Sequence, residues 1–236
     1  MLIKLAITFA AVLVVATGAA AETRSAVYGT ALEQQAMTTY VRADGGMNTY
    51  ESQAADSKET KGAAVYTIGG WAGERRVVGA SITSSTNDVK FGLNDSRSKA
   101  LFHDARMMAR MGWLTPSVGV SLTELDVDKA GERTVSVYGT GLNYGVGLQI
   151  PAYLSIVLYG DAMATAPIKS FDKLATETKL GRRIDADAGV SFDLTEQVVD
   201  LLIGYRLRAY ELDAPEGKLK EQSQGAYAGL RLGVYF

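Results

Sequence analysis

Charged side chains of both signs recur at every second position in the C-terminal part of the chain. Arg183, Asp185 and Asp187 alternate with apolar residues, and Arg206 with Arg208 repeats the pattern further along. Alternate residues of a strand face the same side, so a hairpin of these two segments brings the carboxylates and guanidinium groups together as cross-strand pairs. Such a set either neutralises itself and fills an enclosed space, or uses an excess of Arg to attract small anionic solutes.

The same parity places further charges on this polar face, Arg42 and Asp44 among them. The predicted lumen-lining network consists of Asp104, Arg106, Arg110, Asp161, Arg183, Asp185, Asp187, Arg206, Arg208 and Arg231. The favoured interpretation is a charge-paired filling of a narrow barrel. The alternative is a narrow polar conduit for small anionic solutes, suggested by the basic excess of Arg206, Arg208 and Arg231.

Catalytic chemistry has little support in the sequence. The chain has no Cys and one His, which excludes thiolate catalysis, thiolate metal sites and a His-rich metal site. By parity His103 shares the lipid-facing side with Leu101 and Ala105, while Ser96 and Ser98 fall in a predicted external loop, so no nucleophile lies beside a base. We therefore predict no catalytic residue, no metal and no organic cofactor, and keep a lipid-modifying barrel enzyme as an alternative.

The first 21 residues have the features of a secretory signal peptide. Lys4 precedes an apolar run from Leu5 to Ala16, and Ala19-Ala20-Ala21 forms an A-x-A cleavage site before Glu22. The run is shorter than the ~20 apolar residues of a transmembrane helix. We expect cleavage between Ala21 and Glu22 and export of residues 22–236.

Period-two alternation dominates the exported part, as in strands with one apolar and one polar face. The clearest examples are residues 183–194, 201–210 and 225–236. Counting such segments back from the C-terminus predicts ten strands from about residue 36, with eight or twelve as alternatives. The segment Ser25 to Glu33 is left over, so residues 22–35 are a lead-in or an extra strand.

The connections are predicted to alternate in length. Those near residues 72–73, 112–113, 150–151 and 195–196 are read as tight, whereas 51–61, 85–98, 127–132, 167–181 and 213–223 are read as longer polar loops. Short periplasmic turns and long external loops are typical of outer-membrane barrels. The predicted fold is therefore an all-β, antiparallel transmembrane barrel in a Gram-negative outer membrane.

The last strand resembles the assembly signal of bacterial outer-membrane barrels, which ends in an aromatic residue. The candidate signal residues are Leu230, Leu232, Val234, Tyr235 and Phe236. A strand with a free edge can pair with the assembly machinery before the barrel closes. Expected partners are this machinery and the outer-membrane lipids.

A further resemblance covers about 90 residues of the C-terminal half. The segments 144–151, 158–161, 188–192 and 204–206, rich in glycine and aromatic residues, are similar to the YfaZ family of porin-like proteins. The resemblance implies location and fold and transfers no catalytic residue.

Taken with the mean hydropathy of +0.03 and the net charge of −2, these features predict a monomeric porin-like or structural barrel that does not bind nucleic acid. A surface-interaction protein acting through its external loops is the other alternative.

Overall fold

The structure, a computed structural model, describes residues 37–72, 77–92, 95–153, 155–195 and 198–235. The predicted signal peptide, the segment 22–35 and Phe236 lie outside the described residues. No helix among the described residues is long and apolar enough to cross a membrane.

The described chain forms ten antiparallel strands that close into one barrel, so the predicted fold and strand count are confirmed. Each strand pairs with its neighbours in sequence, and β1 closes the barrel against β10. The strands are β1 (Met37–Ser52), β2 (Ser57–Ala72), β3 (Val78–Phe91), β4 (Ser96–Ala109), β5 (Leu114–Lys129), β6 (Glu132–Tyr153), β7 (Ile156–Asp172), β8 (Lys179–Asp193), β9 (Val199–Ala214) and β10 (Gly217–Tyr235).

The two ends of the barrel are named here by the course of the chain. The lower end is the one at which β1 begins and β10 ends, and the upper end is opposite. Because side chains alternate along a strand, each strand has one row facing the lumen and one facing outward. The alternation of β10 illustrates this, since Tyr227 is buried inside the barrel while Leu230 and Leu232 are about half exposed outside it.

Outward-facing apolar side chains form a continuous girdle around the lower part of the barrel, called here the apolar band. A continuous apolar girdle is rare on the surface of soluble proteins, whereas a membrane barrel needs one to contact lipid. Its most exposed members, each at least 45% exposed, are Val41, Met47, Tyr66, Ile68, Val78, Met107, Val118, Val120, Leu142, Tyr144, Val146, Ile184, Ile203, Tyr205, Leu230, Leu232 and Val234.

The predicted long external loops are wrong. At the upper end the connections are the short segments 53–56, 92–95, 130–131, 173–178 and 215–216, and the remaining residues of the expected loops belong to strands. The strands run from 14 to 22 residues, against the roughly 9–11 that cross a bilayer. The barrel wall therefore continues well beyond the upper edge of the apolar band.

A hydrophobic core fills the lumen of this upper extension. It consists of Tyr50, Ala55, Val89, Phe91, Ala100, Phe102, Leu125, Val127, Val135, Val137, Tyr210 and Leu212. Phe102, Leu125, Val127, Val137 and Leu212 are completely buried. We call this set the upper apolar core. It gives the extension an interior packed like that of a soluble barrel.

Candidate functional site

The lumen beneath the upper apolar core is lined by charged side chains, and four of them form a closed ring of contacts. Arg42 Nε lies 2.9 Å from Asp44 Oδ2, and Arg42 Nη2 lies 3.3 Å from Asp187 Oδ2. Arg206 contacts the same two carboxylates, at 2.7 Å to Asp44 Oδ1 and 3.5 Å to Asp187 Oδ2. Two positive and two negative charges from β1, β8 and β9 thus neutralise each other across the lumen.

Two tyrosines pack against this ring. The hydroxyl groups of Tyr159 and Tyr227 lie 2.6 Å apart, and Arg42 Nη2 donates to the Tyr227 hydroxyl at 3.1 Å. The guanidinium of Arg206 also stacks over the Tyr227 ring at 4.4 Å. Stacking of guanidinium groups on aromatic rings adds attraction and fills the space between strands.

A second cluster lies one layer higher and is more deeply buried. Arg183 Nη2 donates to Asp104 Oδ1 at 2.5 Å, and both side chains are less than 5% exposed. Arg183 Nε also contacts Asp185 Oδ2 at 2.7 Å, and the other Asp185 oxygen pairs with Arg208 Nε. The sequence of contacts Asp104–Arg183–Asp185–Arg208 crosses the lumen between β4, β8 and β9.

Neutral side chains satisfy the remaining hydrogen-bonding groups of this cluster. Asn143 Nδ2 donates to Asp104 Oδ1 at 3.1 Å, and Thr165 donates to Asn143 Oδ1 at 2.7 Å. Arg208 Nη1 donates to Ser85 Oγ at 2.6 Å. Buried charges are tolerated when they are paired and hydrogen-bonded, and the charges of this layer meet both conditions.

Phe102 is the member of the upper apolar core that contacts the second charged cluster directly. The guanidinium carbons of Arg208 and Arg183 lie 4.2 and 5.1 Å from the centre of its ring. Within the core, the ring of Tyr210 meets that of Phe102 edge-on, with centroids 5.5 Å apart. The charged filling and the apolar filling are therefore in direct contact.

The remaining predicted lumen residues lie toward the lower end. Arg106 Nη1 contacts Asp161 Oδ1 at 2.7 Å, and Arg231 Nε contacts Asp200 Oδ2 at 2.6 Å. Arg110 follows the last residue of β4, where it donates to Gln149 at 3.1 Å and stacks over Trp71 at 4.7 Å.

Exposure decreases from the lower end upward. The side chains of Asp161 and Arg231 are about one-third exposed, those of Arg206 and Asp187 are 14% exposed, and those of Asp104 and Arg183 are almost completely buried. Solvent-accessible surface thus extends from the lower end to parts of the charged ring, although Asp44 in that ring is buried, and the layer of Asp104 and Arg183 above it is closed.

The upper extension, beyond the apolar band, contains the buried carboxyl group of Glu221, which is 3% exposed. Glu221 is buried between β1 and β10, where Ser52 Oγ donates to Glu221 Oε1 at 2.8 Å and the amide of Ala54 donates at 3.2 Å. The outward face of β10 is already polar here, since Lys220 and Gln222 flank this position and the last outward apolar residue is Ala226. Burial raises the pKa of the Glu221 carboxyl to about 7.

The outward face carries the remaining residues that the sequence analysis discussed. His103 is on the outward face of β4, opposite Ser84 of β3 and Leu122 of β5, with no carboxylate across from it. Leu230, Leu232 and Val234 belong to the apolar band, and Tyr235 ends β10. No cluster of His, Asp and Glu among the described residues has the geometry to hold a metal ion.

Sequence analysis missed the upper apolar core. Tyr210 and Leu212 have the same parity as Arg206 and Arg208, so the change from charged to apolar side chains along the inner face of β9 was readable. The signal was overlooked where it fell in segments read as loops, as with Val89 and Phe91. Asp200, the partner of Arg231, was missed as well.

Comparisons with known proteins identify the fold. No protein-family model matches the chain, so the resemblance to the YfaZ family gains no support, and no curated protein matches it either. Among solved structures, the outer membrane protease OmpT from Escherichia coli is 8% identical, with 91% of this chain and 99% of that one covered at a TM-score of 0.50.

Two other barrels match less well. Neisserial surface protein A is 16% identical, with 82% of this chain and 96% of that one covered at a TM-score of 0.38. The translocator domain of the autotransporter NalP from Neisseria meningitidis is 11% identical, with 96% and 95% covered at a TM-score of 0.44. At these identities the likeness concerns the barrel architecture alone.

Proposed function

We propose that this protein is a structural barrel of the bacterial outer membrane whose lumen is closed to solutes. The apolar band supports the membrane location, because a lipid bilayer is the environment in which such a girdle is stable. We further propose that the upper extension faces the outside of the cell and that the lower end of the lumen faces the periplasm, since outer-membrane barrels keep their larger extramembrane parts outside.

The stacking of two charged layers beneath the upper apolar core carries this proposal. A conducting barrel needs a continuous polar path, whereas here the path from the lower end meets Asp104 and Arg183 and then the fully buried Phe102 and Leu125. Six inward-facing arginines each have an Asp partner within hydrogen-bonding distance in the lumen: Arg42, Arg106, Arg183, Arg206, Arg208 and Arg231. The charges thus serve to fill the interior rather than to attract a passing anion.

The alternatives receive less support from the geometry. A conduit for small anions requires Arg side chains that are free to bind solute, and Arg206 and Arg208 are engaged by Asp44, Asp187 and Asp185. A hydrolytic site needs a base beside its nucleophile, whereas His103 is on the outward face. The alternative of a surface-interaction protein required long external loops, and the connections at the upper end are short.

Solute permeation tests the proposal. The purified mature barrel is reconstituted into liposomes, and swelling is followed in isosmotic solutions of small neutral and anionic solutes. We expect swelling rates equal to those of protein-free liposomes, with folding and insertion verified by the different gel mobilities of boiled and unboiled samples. Permeation of an anionic solute by the folded protein would favour the conduit instead.

A further inference from the structure

Backbone pairing in the barrel wall is interrupted in two places toward the upper end. Between β2 and β3 it ends at Ala64 opposite Thr86, and the other gap, between β7 and β8, lies just above the apolar band. The two strands pair from Ile156 opposite Phe192 to Thr165 opposite Arg183. Beyond this point β7 continues to Asp172 and β8 begins at Lys179, yet these upper parts share no backbone pairing among the described residues. The side chain of Ser170 accepts a hydrogen bond from the amide of Leu180 at 3.0 Å in place of the ladder.

Near the gap, β7 and β8 are each also irregularly paired with the neighbouring strand on their other side. The register of β7 against β6 shifts next to Pro167, so that Ile168 has no partner, and the register of β8 against β9 shifts between Leu180 and Arg183. Unpaired backbone is very costly in hydrocarbon, so the gap belongs where water or lipid head groups can reach it. Its position fits this, since Ile184 and Leu142, at the upper edge of the apolar band, lie immediately below.

The cavity at the inner side of the gap is small. It has a volume of about 20 Å³ and is bordered by Thr165, Leu180 and Arg183. That volume is on the order of what one water molecule occupies. It is therefore too small to admit a lipid or a solute.

Two cations border this gap on its outer side. Lys169 of β7 and Arg182 of β8 are both exposed, and neither forms an ion pair with any residue in the described part of the chain. The neighbouring acidic groups are otherwise engaged, since Glu124 binds Lys173 at 2.6 Å and Glu211 binds Lys218 at 3.1 Å. The two cations thus keep an uncompensated positive charge.

Exposed apolar and aromatic side chains surround the two cations. The rings of Tyr138 and Phe171 stack with centroids 4.9 Å apart, and Lys169 Nζ lies 4.6 Å from the Phe171 centroid. Ile168 is 62% exposed and Leu174 38% exposed. An aromatic and basic patch directly above a lipid-contacting band matches the chemistry of a membrane interface, where acyl chains give way to phosphate groups.

We propose that Lys169 and Arg182 bind the phosphate group of a lipid in the outer leaflet, with Ile168, Phe171 and Tyr138 contacting the adjoining part of that lipid. Arg and Lys donate charge-assisted hydrogen bonds to phosphate oxygens. Both cations have free donors and lie above the apolar band, and the carboxylates of Glu124 and Glu211 are paired with other lysines. This arrangement complements a dianionic head group. The site rests on the proposed membrane location and adds to it a specific lipid contact.

Native mass spectrometry of the full mature barrel, released from phosphatidylcholine nanodiscs, tests this site. The nanodiscs contain either lipid A with both phosphate groups or its dephosphorylated form, and a third sample contains inorganic phosphate without lipid A. We expect the wild type to retain phosphorylated lipid A only. The double variant Lys169→Gln/Arg182→Gln should lower the retained fraction by roughly tenfold or more.

The matched control is Lys90→Gln/Lys99→Gln, which removes two exposed cations of the upper extension on β3 and β4, away from the gap between β7 and β8. It should retain lipid like the wild type. The lipid site is overturned if the Lys169→Gln/Arg182→Gln barrel retains as much lipid A as the wild type, or if the wild type retains the dephosphorylated lipid equally well. Retention of inorganic phosphate alone identifies a free-anion site instead. Failure of the wild type to enter nanodiscs counts against the membrane location itself, so the two proposals fail separately.

Discussion

Asp104 and Arg183 show how a charged pair can stabilise an interior that water does not reach. Both side chains are nearly inaccessible, and Asn143 supplies a further hydrogen bond to the carboxylate. Removing one partner of such a pair leaves an uncompensated buried charge, which costs far more than the pair contributes in net terms.

We predict that Asp104→Asn lowers the free energy of unfolding by about 3–5 kcal/mol. Urea titration of the refolded barrel in detergent micelles, read from the folded and unfolded gel bands, measures this change. The control is Asp88→Asn, which breaks the exposed pair with Arg97 (2.6 Å) and should cost ~0–1 kcal/mol. Similar losses in both variants would contradict the account of the second charged layer.

Glu221 gives the upper extension a pH-dependent stability. Its carboxyl group has a pKa of about 7 in the folded barrel, above the usual value of 4.5, so folding favours the protonated form. The stabilisation by the bound proton is complete below pH 4.5 and is lost as the pH rises through 7.

We therefore expect the wild type to lose up to about 3 kcal/mol of stability between pH 4.5 and pH 8 from this group. The Gln side chain of Glu221→Gln resembles the protonated carboxyl, so the free energy of unfolding of this variant should change less over that range. At high pH the variant should be more stable than the wild type. Urea titrations at several pH values measure the difference, and Glu124→Gln controls for the loss of one carboxylate. Parallel pH profiles for wild type and Glu221→Gln would refute this assignment.

The sequence predicted which face of a strand a side chain occupies better than it predicted which residue that side chain contacts. Parity was enough to put Asp185, Asp187, Arg206 and Arg208 on one face, because the period of a strand does not depend on its neighbours. It could not select partners between distant strands. The contacts of Arg42 with Asp187 and of Arg183 with Asp104 depend on barrel closure and on side-chain length, which a single sequence does not contain.

At the scale of strands, the band and its upper extension follow different sequence rules. Within the band, outward apolar residues alternate with inward polar ones, and this pattern predicted ten strands correctly. In the 85–98 segment of the extension, outward Asp88 and Lys90 alternate with inward Asn87, Val89 and Phe91. Such a segment has the composition of a loop, so its pairing was not recognised.

The seam between β1 and β10 closes the barrel and depends on a close approach at Gly46. A Cβ atom there would lie 2.0 Å from the carbonyl oxygen of Ala226 and 2.7 Å from the Cα of Tyr227. Backbone atoms cannot yield to such a contact without separating the strands. Gly62, on the β2 side of the same region, has open space instead, with no atom within 4 Å.

We predict that Gly46→Ala lowers the free energy of unfolding by about 1–3 kcal/mol and reduces the yield of closed barrel on refolding. Gly62→Ala, the same chemical change without the contact, should leave both quantities near those of the wild type. The fraction of heat-modifiable band and the urea midpoint measure the two effects. Equal behaviour of the two variants would show that the seam tolerates a wider spacing.

For the molecule as a whole, the lining of the lumen changes from one end to the other. Its charged side chains are partly solvent-accessible at the lower end and buried in ion pairs in the middle, and the lining is apolar in the upper extension. The upper apolar core also explains why the extended strands remain ordered without bilayer support, because it supplies the hydrophobic contacts that a soluble barrel of the same size would need. The composition of the chain, with its mean hydropathy near zero, averages over these opposite faces and therefore hides them.

Single-channel recording in planar bilayers tests the closed lumen most directly. Wild-type barrel, incorporated in parallel with a variant in which Phe102, Leu125 and Leu212 are replaced by Ala to hollow the upper apolar core, is recorded under applied voltage. We predict that both barrels are silent, because the buried layer of Asp104 and Arg183 still closes the lumen beneath the hollowed core. Stable, discrete openings of the wild-type barrel would contradict the account, because they require a continuous water path past Asp104, Arg183 and Phe102.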